Sequence, residues 1–216
     1  GGFDPGCLVG VAPEAEFLLA KTENYDSELP IEEDWWIAGV EWADSLQADV
    51  INSSLGYNTW DDGTGYDYQD LDGMTARTTV AAEIASRMGM VLVVSAGNEG
   101  DKPWTYITTP ADADAAIAVG AVDARNRILP FSSRGPTSDG RIKPDLVAPG
   151  GAVLMADVRN GTYVRNRGTS FAAPLVSGVC ALLLQIERLD PAAMRQRLLS
   201  TATDLGPAGP DTLYGW

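Results

Sequence analysis

The sequence predicts an α/β fold with a mostly parallel central sheet flanked by helices. Apolar runs of strand length at 17–21, 49–56, 91–97 and 116–122 alternate with longer segments of helical periodicity. This alternation is typical of βαβ units. The chain of 216 residues has the length of one domain, so we predict a single domain over residues 1–216.

The predicted elements follow one another in a regular order. The first strand covers 17–21, and 32–46 form a helix because Trp36 and Val40 recur at helical spacing. A second helix at about 76–88 supplies the crossover that parallel neighbours need. In such sheets the ligand site lies beyond the carboxyl ends of the strands.

Charge and cysteine content argue against several classes of protein. Thirty acidic and fifteen basic residues give a net charge of −15, which would repel a nucleic-acid backbone. No uninterrupted apolar stretch approaches the roughly 20 residues that cross a bilayer, so no membrane anchor is predicted. Cys7 and Cys180 lie far apart without metal-ligand spacing, which predicts two small buried thiols.

Ser170 lies at the start of a long apolar helix that runs to about Glu187. Unpaired N–H groups and the positive end of the helix dipole favour negative charge there, as on an oxyanion. A serine in this place is by itself most often a helix cap. An asparagine after glycine, such as Asn98, is most often a turn residue. Position alone therefore leaves both roles open.

Several segments resemble the subtilisin family of serine peptidases in sequence, order and spacing. Each is weak alone, but together they cover almost the whole chain. The matching segments are 9–15, Ser54-Leu55-Gly56, 95–100, 118–122, 131–133, 143–150 and 168–174. The resemblance implies a three-layer subtilisin-like fold and a serine endopeptidase that needs no cofactor.

The resemblance also implies roles at the reacting bond. Ser170 would be the nucleophile that forms an acyl-enzyme, and Asn98 would donate its side-chain amide to the oxyanion. The family's base is a histidine held by an aspartate, in the order Asp, His, Ser. Because the chain contains no histidine, we expect both partners upstream of Gly1, in a domain truncated at both ends. This chain alone is then expected to be inactive.

The same resemblance predicts which residues bind a polypeptide substrate. An extended peptide would add to the sheet as a strand and place the side chain before the scissile bond in a pocket. The strand-pairing residues are Ser54, Leu55 and Gly56. The pocket residues are Ser95, Ala96 and Gly97.

The predicted sheet is incomplete at its N-terminal side. In this family the aspartate's strand lies between the strands that correspond to 17–21 and 49–56. Leaving two facing rows of backbone groups unpaired is costly. We therefore expect these strands to close together, another protein chain or the missing N-terminal segment to fill the gap, or the first strand to move.

Residues 57–73 form an irregular acidic insertion without a positive side chain. Crowded carboxylates favour a hard cation, and Asp70-Leu71-Asp72-Gly73 resembles part of a calcium loop. The full ligand series and terminal glutamate of an EF-hand are absent. Calcium binding and a solvated acidic loop both stay open. The acidic side chains are Asp61, Asp62, Asp67, Asp70 and Asp72.

Two other functions stay open beside a secreted endopeptidase. A serine-carboxyl peptidase uses a glutamate base and so tolerates a histidine-free chain. Such enzymes normally place a protonated aspartate where this chain has Asn98. A catalytically dead subtilase scaffold would instead bind peptides or partner proteins through the same cleft.

Overall fold

The computed structural model describes residues 10–157 and 159–216. Within these ranges the chain has four α-helices, six strands and one short 3₁₀ helix at Tyr68–Asp70. The helices are α1 (Ile31–Ser45), α2 (Arg77–Arg87), α3 (Thr169–Ile186) and α4 (Pro191–Thr201). The strands are β1 (Val50–Ser53), β2 (Val91–Ser95), β3 (Ile117–Val122), β4 (Leu146–Pro149), β5 (Val153–Asp157) and β6 (Thr162–Asn166).

Four strands form a parallel sheet in the order β1, β2, β3, β4. Helices cover both faces, which is why β2 and β3 are buried along their whole length. Leu92 and Val94 belong to the core beneath α1 and α2. Val91 and Val93 belong to the core beneath α3 and α4. The predicted three-layer α/β architecture is confirmed.

The predicted strand at 17–21 is wrong. The sheet of the described chain begins at β1, and Phe17 and Leu19 are 72% and 87% exposed. The following residues lie against α1 instead, where a side chain at Gly39 would meet Cγ2 of Thr22 at 3.0 Å. A strand needs a neighbouring strand that shares backbone hydrogen bonds with it. Among the described residues, segment 17–21 has no such neighbour. The two segments do not close together, because a groove lined by residues 20–23 and Tyr25 lies beside Leu55. Filling of this gap by another chain or by the N-terminal segment stays a prediction.

Several elements went unpredicted. β4 is short and ends in proline, and every residue of β6 is exposed, so neither shows a clear burial pattern in sequence. These strands form nonetheless, because β4 pairs with β3 and β6 with β5. α4 has an explicit start signal: Asp190 accepts a hydrogen bond from the N–H of Ala193, and Pro191 occupies the first helical position.

The central helix of the fold is α3, which contacts all four parallel strands. By length and composition this helix is apolar enough to cross a bilayer, with a mean hydropathy of 1.7. The prediction that the chain has no membrane anchor did not anticipate such a helix. Packing on the sheet accounts for part of this composition, since 28% of this helix is buried within the described structure. Burial there raises the pKa of the Cys180 thiol to about 12. Cys180 is therefore a buried hydrophobe as predicted, whereas Cys7 lies outside the described residues.

A buried ionic network joins the sheet to α4 through Asp145, just before β4. Its Oδ2 accepts hydrogen bonds from Nζ of Lys143 at 2.6 Å and from the N–H of Ala118 at 2.7 Å. Its Oδ1 accepts from Nη2 of Arg195 at 2.5 Å. Asp145 is fully buried and the Lys143 side chain is 1% exposed. Each charge in this network therefore depends on its partner to offset the loss of water.

Replacing Asp145 with alanine is expected to lower the free energy of unfolding by about 3–5 kcal/mol, because it leaves the Lys143 ammonium buried without a counter-charge. The matched control is Glu187→Ala, which breaks the exposed pair with Arg197 and should cost about 1 kcal/mol or less. Urea unfolding of both variants measures the difference. Equal losses would contradict the buried network's role.

Candidate active site

The first turn of α3 lies beyond the carboxyl ends of β1 and β2. Gly168 precedes the helix with φ of 153° and ψ of 156°, a conformation that is essentially restricted to glycine. The chain therefore turns sharply into the helix and presents Ser170 in its first turn. No acidic residue lies in that turn, so no nearby carboxylate opposes the positive end of the helix dipole.

Ser170 and Ser54 bind each other through two reciprocal hydrogen bonds. The Ser170 hydroxyl donates to the carbonyl of Ser54 at 3.2 Å, and the Ser54 hydroxyl donates to the carbonyl of Ser170 at 2.9 Å. The second bond has a clear cause in sequence. Pro174 lies inside α3 and lacks the N–H that would normally donate to the carbonyl four residues earlier. Ser54 supplies the missing donor from the end of β1.

Asn98 is held against the same turn by Thr169. Its Oδ1 accepts hydrogen bonds from the N–H of Thr169 at 3.0 Å and from the Thr169 hydroxyl at 3.2 Å. Because the amide oxygen faces Thr169, the amide nitrogen is turned away from these two donors. The structure thus brings Ser170 and Asn98, 72 positions apart in sequence, to one helix end.

The segment that follows β1 offers unpaired backbone. Among residues 10–157 and 159–216, the N–H and C=O groups of Leu55 and Gly56 make no backbone hydrogen bond. Any side chain at Gly56 would collide with the hydroxyl of Thr108, so glycine keeps the backbone close to the core. A groove lined by residues 20–23 and Tyr25 runs beside Leu55. Such an edge can pair with an extended chain.

The predicted pocket residues reach the site but are largely enclosed. Ser95 is 3% exposed and Ala96 is fully buried. The carbonyl of Ala96 accepts a hydrogen bond from the N–H of Thr108 at 3.1 Å. The N–H of Gly97 donates to the hydroxyl of Thr169 at 3.2 Å. In this structure these residues fix the Asn98 loop, and the side chains of Ser95 and Ala96 line no open surface.

The acidic segment 57–73 is partly structural. Tyr57, Trp60 and Leu71 belong to the core cluster beneath α1 and α2. The Oδ1 of Asp72 accepts hydrogen bonds from two backbone N–H groups, two and three residues further on. The segment is therefore anchored by buried aromatic side chains, and this carboxylate, part of the resemblance to a calcium loop, caps local backbone.

Two sets of residues near the site went unpredicted. Thr169 links Gly97 to Asn98, and its position next to Ser170 was the signal that it belongs to the site. The second set is a cluster of carboxylates. Its spacing in sequence does not predict a metal site, because the fold brings its members together. It consists of Glu23, Glu28 and Glu32.

Removal of the Ser54 hydroxyl is expected to cost about 1 kcal/mol of unfolding free energy, because the Ser170 carbonyl loses the donor that replaces the missing helical one. Ser54→Ala in a Pro174→Ala background should cost measurably less, since alanine in place of this proline restores a helical N–H. A double-mutant cycle by urea unfolding measures this coupling. Equal costs in both backgrounds would contradict the compensation.

Known proteins resemble this chain in sequence and in fold. The sequence model of the Subtilase family, Peptidase S8, matches residues 1–216. Subtilisin E from Bacillus subtilis (strain 168) is 38% identical over 201 residues, which cover 92% of this chain and 47% of that protein. The chain spans about half the length of several curated relatives it matches.

Two solved structures match the fold as well. The self-cleaved protease domain of PatA aligns with a TM-score of 0.72 and 33% identity, over 90% of this chain and 68% of that one. The PatG macrocyclase in complex with peptide aligns with a TM-score of 0.66 and 27% identity, over 81% and 50%. With the parallel sheet and the family match over all 216 residues, these findings show that the chain belongs to the subtilase family of serine proteases.

Proposed function

We propose that the protein containing this chain is a serine endopeptidase that cleaves peptide bonds through an acyl-enzyme on Ser170. One observation carries the proposal: the Ser170 hydroxyl and the Asn98 carboxamide meet at the N-terminus of α3, beside the unpaired backbone of Leu55 and Gly56. A nucleophile, an oxyanion donor and a peptide-binding edge are the parts that acyl transfer requires.

The proposal requires a base from outside the 216 residues, which contain no histidine. In this structure the Ser170 hydroxyl donates to the carbonyl of Ser54. A carbonyl oxygen is too weak a base to remove that proton, so this arrangement is a resting one. A histidine oriented by an aspartate would take the proton as the serine oxygen attacks the substrate carbonyl and later give it to the leaving amine. The chain by itself is then expected to be inactive.

Negative charge that develops on the substrate oxygen would be stabilised at the helix end. Of the first three N–H groups of α3, those of Thr169 and Phe171 already donate to Asn98 Oδ1 and to the Gly168 carbonyl. This leaves the N–H of Ser170 for the oxyanion, at a helix end whose dipole favours an anion. Asn98 would add its amide N–H, which the two hydrogen bonds from Thr169 do not use because they go to Oδ1. Because these donors are already in place, little reorganisation accompanies the reaction.

A polypeptide substrate would bind as an added strand along Ser54, Leu55 and Gly56. Main-chain pairing accepts many sequences, so selectivity would come from side-chain pockets. The assignment of Ser95, Ala96 and Gly97 to such a pocket requires that bound substrate open this enclosed region. PatG was solved in complex with peptide, which supports a peptide ligand. Secretion, and catalysis without a metal or cofactor, stay predictions.

A fluorophosphonate probe should label the full-length protein and fail to label its Ser170→Ala variant. Ser177→Ala is the matched control, because Ser177 lies on the same helix and its hydroxyl donates to the Asn52 side chain. This control should keep both labelling and casein hydrolysis. If the unmodified protein neither reacts with the probe nor cleaves casein, the enzyme proposal fails and a peptide-binding scaffold replaces it.

Asn98→Ala should lower kcat about 10²- to 10³-fold, a magnitude already known for a subtilisin, while KM changes little. The reason is that the lost donor acts on charge present only in the transition state. Asn160→Ala, an exposed change in the β5–β6 turn, is the control and should leave kcat unchanged. A pH–rate profile separates the remaining alternative, since a maximum in strong acid would favour a serine-carboxyl peptidase.

A further inference from the structure

Three glutamates meet between α1 and the segment that precedes it. Glu23, Glu28 and Glu32 each offer a carboxylate oxygen, and these oxygens all lie within 4.8 Å of one another. Oxygens bound to one calcium ion at about 2.4 Å can be separated by at most about 4.8 Å. The cluster therefore has dimensions that a single ion can span.

Glu32 supplies a buried oxygen without a partner. The residue is fully buried on α1, and its Oε1 accepts a hydrogen bond from the N–H of Asn24 at 3.1 Å. Its Oε2 is buried as well and accepts no hydrogen bond among residues 10–157 and 159–216. A buried carboxyl oxygen without a partner is costly, and a bound cation offsets that cost. An ion in the cluster would provide that charge.

The other two glutamates are held in position by the chain around them. Glu23 Oε1 accepts a hydrogen bond from the Tyr57 hydroxyl at 2.6 Å. The backbone of Glu28 is tied to Asp61 twice: its N–H donates to Asp61 Oδ2 at 3.0 Å, and its carbonyl accepts from the N–H of Asp61 at 2.9 Å. These contacts do not use the Glu28 side chain, which stays available to the cluster.

The cluster concentrates negative charge. Within the part of the chain that the structure describes, none of the three glutamates forms an ion pair. Burial, and then the nearby carboxylate of Glu32, raises the pKa of Glu28 to about 7. Burial also raises the pKa of Glu23. Glu23 and Glu28 therefore lie where a carboxylate charge is disfavoured and a cation would be welcome.

We propose that Glu23, Glu28 and Glu32 bind a calcium ion, which ties the segment before α1 to that helix. Calcium is favoured over magnesium because it accepts several carboxylates in flexible geometry, whereas magnesium usually keeps several waters and one or two carboxylates. The site is separate from Asp70 and Asp72, the residues that resemble part of a calcium loop in sequence.

The ion would also stiffen the edge beside the candidate active site. Residues 20–23 line the groove along Leu55, and Tyr57, which contacts Glu23, follows the unpaired Gly56 in sequence. The backbone of Tyr57 in turn pairs with Thr109 in both directions. Calcium would therefore hold one wall of this groove against a rigid part of the core.

The test compares two glutamate variants of α1 in the full-length protein. After removal of metal with a chelator, calcium is titrated at pH 8, above the pKa of Glu28, and heat release and Tm are recorded. At 100 times the dissociation constant, calcium should raise Tm by about 5 °C or more. Glu32→Gln should weaken binding at least about tenfold and lose this rise. The matched control Glu41→Gln, exposed on the same helix, should retain both.

Stability measured without calcium distinguishes loss of the ion site from general damage to the fold. Without calcium, Glu32→Gln should be at least as stable as the unmodified protein, because it removes one of three crowded charges. Glu28→Gln, at a partly exposed position, should lose the calcium response in the same way. The proposal is overturned if Glu32→Gln and Glu41→Gln respond to calcium alike, or if the response disappears only when Asp70 and Asp72 are replaced.

Discussion

Five hydrogen bonds tie the first turn of α3 to the ends of β1 and β2, and the candidate active site depends on them. Two join Ser54 and Ser170, two join Thr169 to Asn98, and one joins Gly97 to Thr169. Each bond involves a backbone group that has no partner inside the helix, or a side chain that reaches the helix end. The same contacts that close the helix end therefore also orient the groups proposed for catalysis.

The rigidity behind this arrangement comes from the two-sided core. α3 contacts every strand of the parallel sheet, so its N-terminus cannot shift without disturbing the packing of β2 and β3. On the same side of the sheet, Asp145 links the start of β4 to Lys143 and Arg195. Sites carried on packed elements hold their geometry better than sites carried on loops. The helix end that carries Ser170 is thus held in place by the packed core.

The opposite condition holds at the β1 edge. Leu55 and Gly56 keep backbone groups free of backbone partners within the described chain, and residues 17–21 do not complete the sheet. An open edge is a liability for aggregation but a requirement for binding an extended peptide. The carboxylate cluster lies beside this edge. Calcium there and a partner strand would each restrict the same segment by different means.

Local sequence patterns were sufficient to predict the helices α1, α2 and α3 and the strands β1, β2 and β3. The order of short motifs was sufficient to predict the family. Each of these depends on residues close together in sequence: helical spacing at Trp36 and Val40, apolar runs at 91–97 and 116–122, and the Gly168-Thr169-Ser170 turn. These patterns can be recognised without knowing what each element packs against, because an element buried on one face has apolar residues at regular spacing.

The tertiary structure determined which segments and which polar groups pair with one another. The apolar segment 17–21 has the composition of a strand but forms none, since a strand exists only with a neighbour to accept its hydrogen bonds. Ser54 and Pro174 show no relation in sequence, yet one supplies the donor that the other lacks. Glu32 becomes part of a charged cluster only after folding buries it against residues from another segment. Sequence by itself determined local conformation, and the fold determined which polar groups meet.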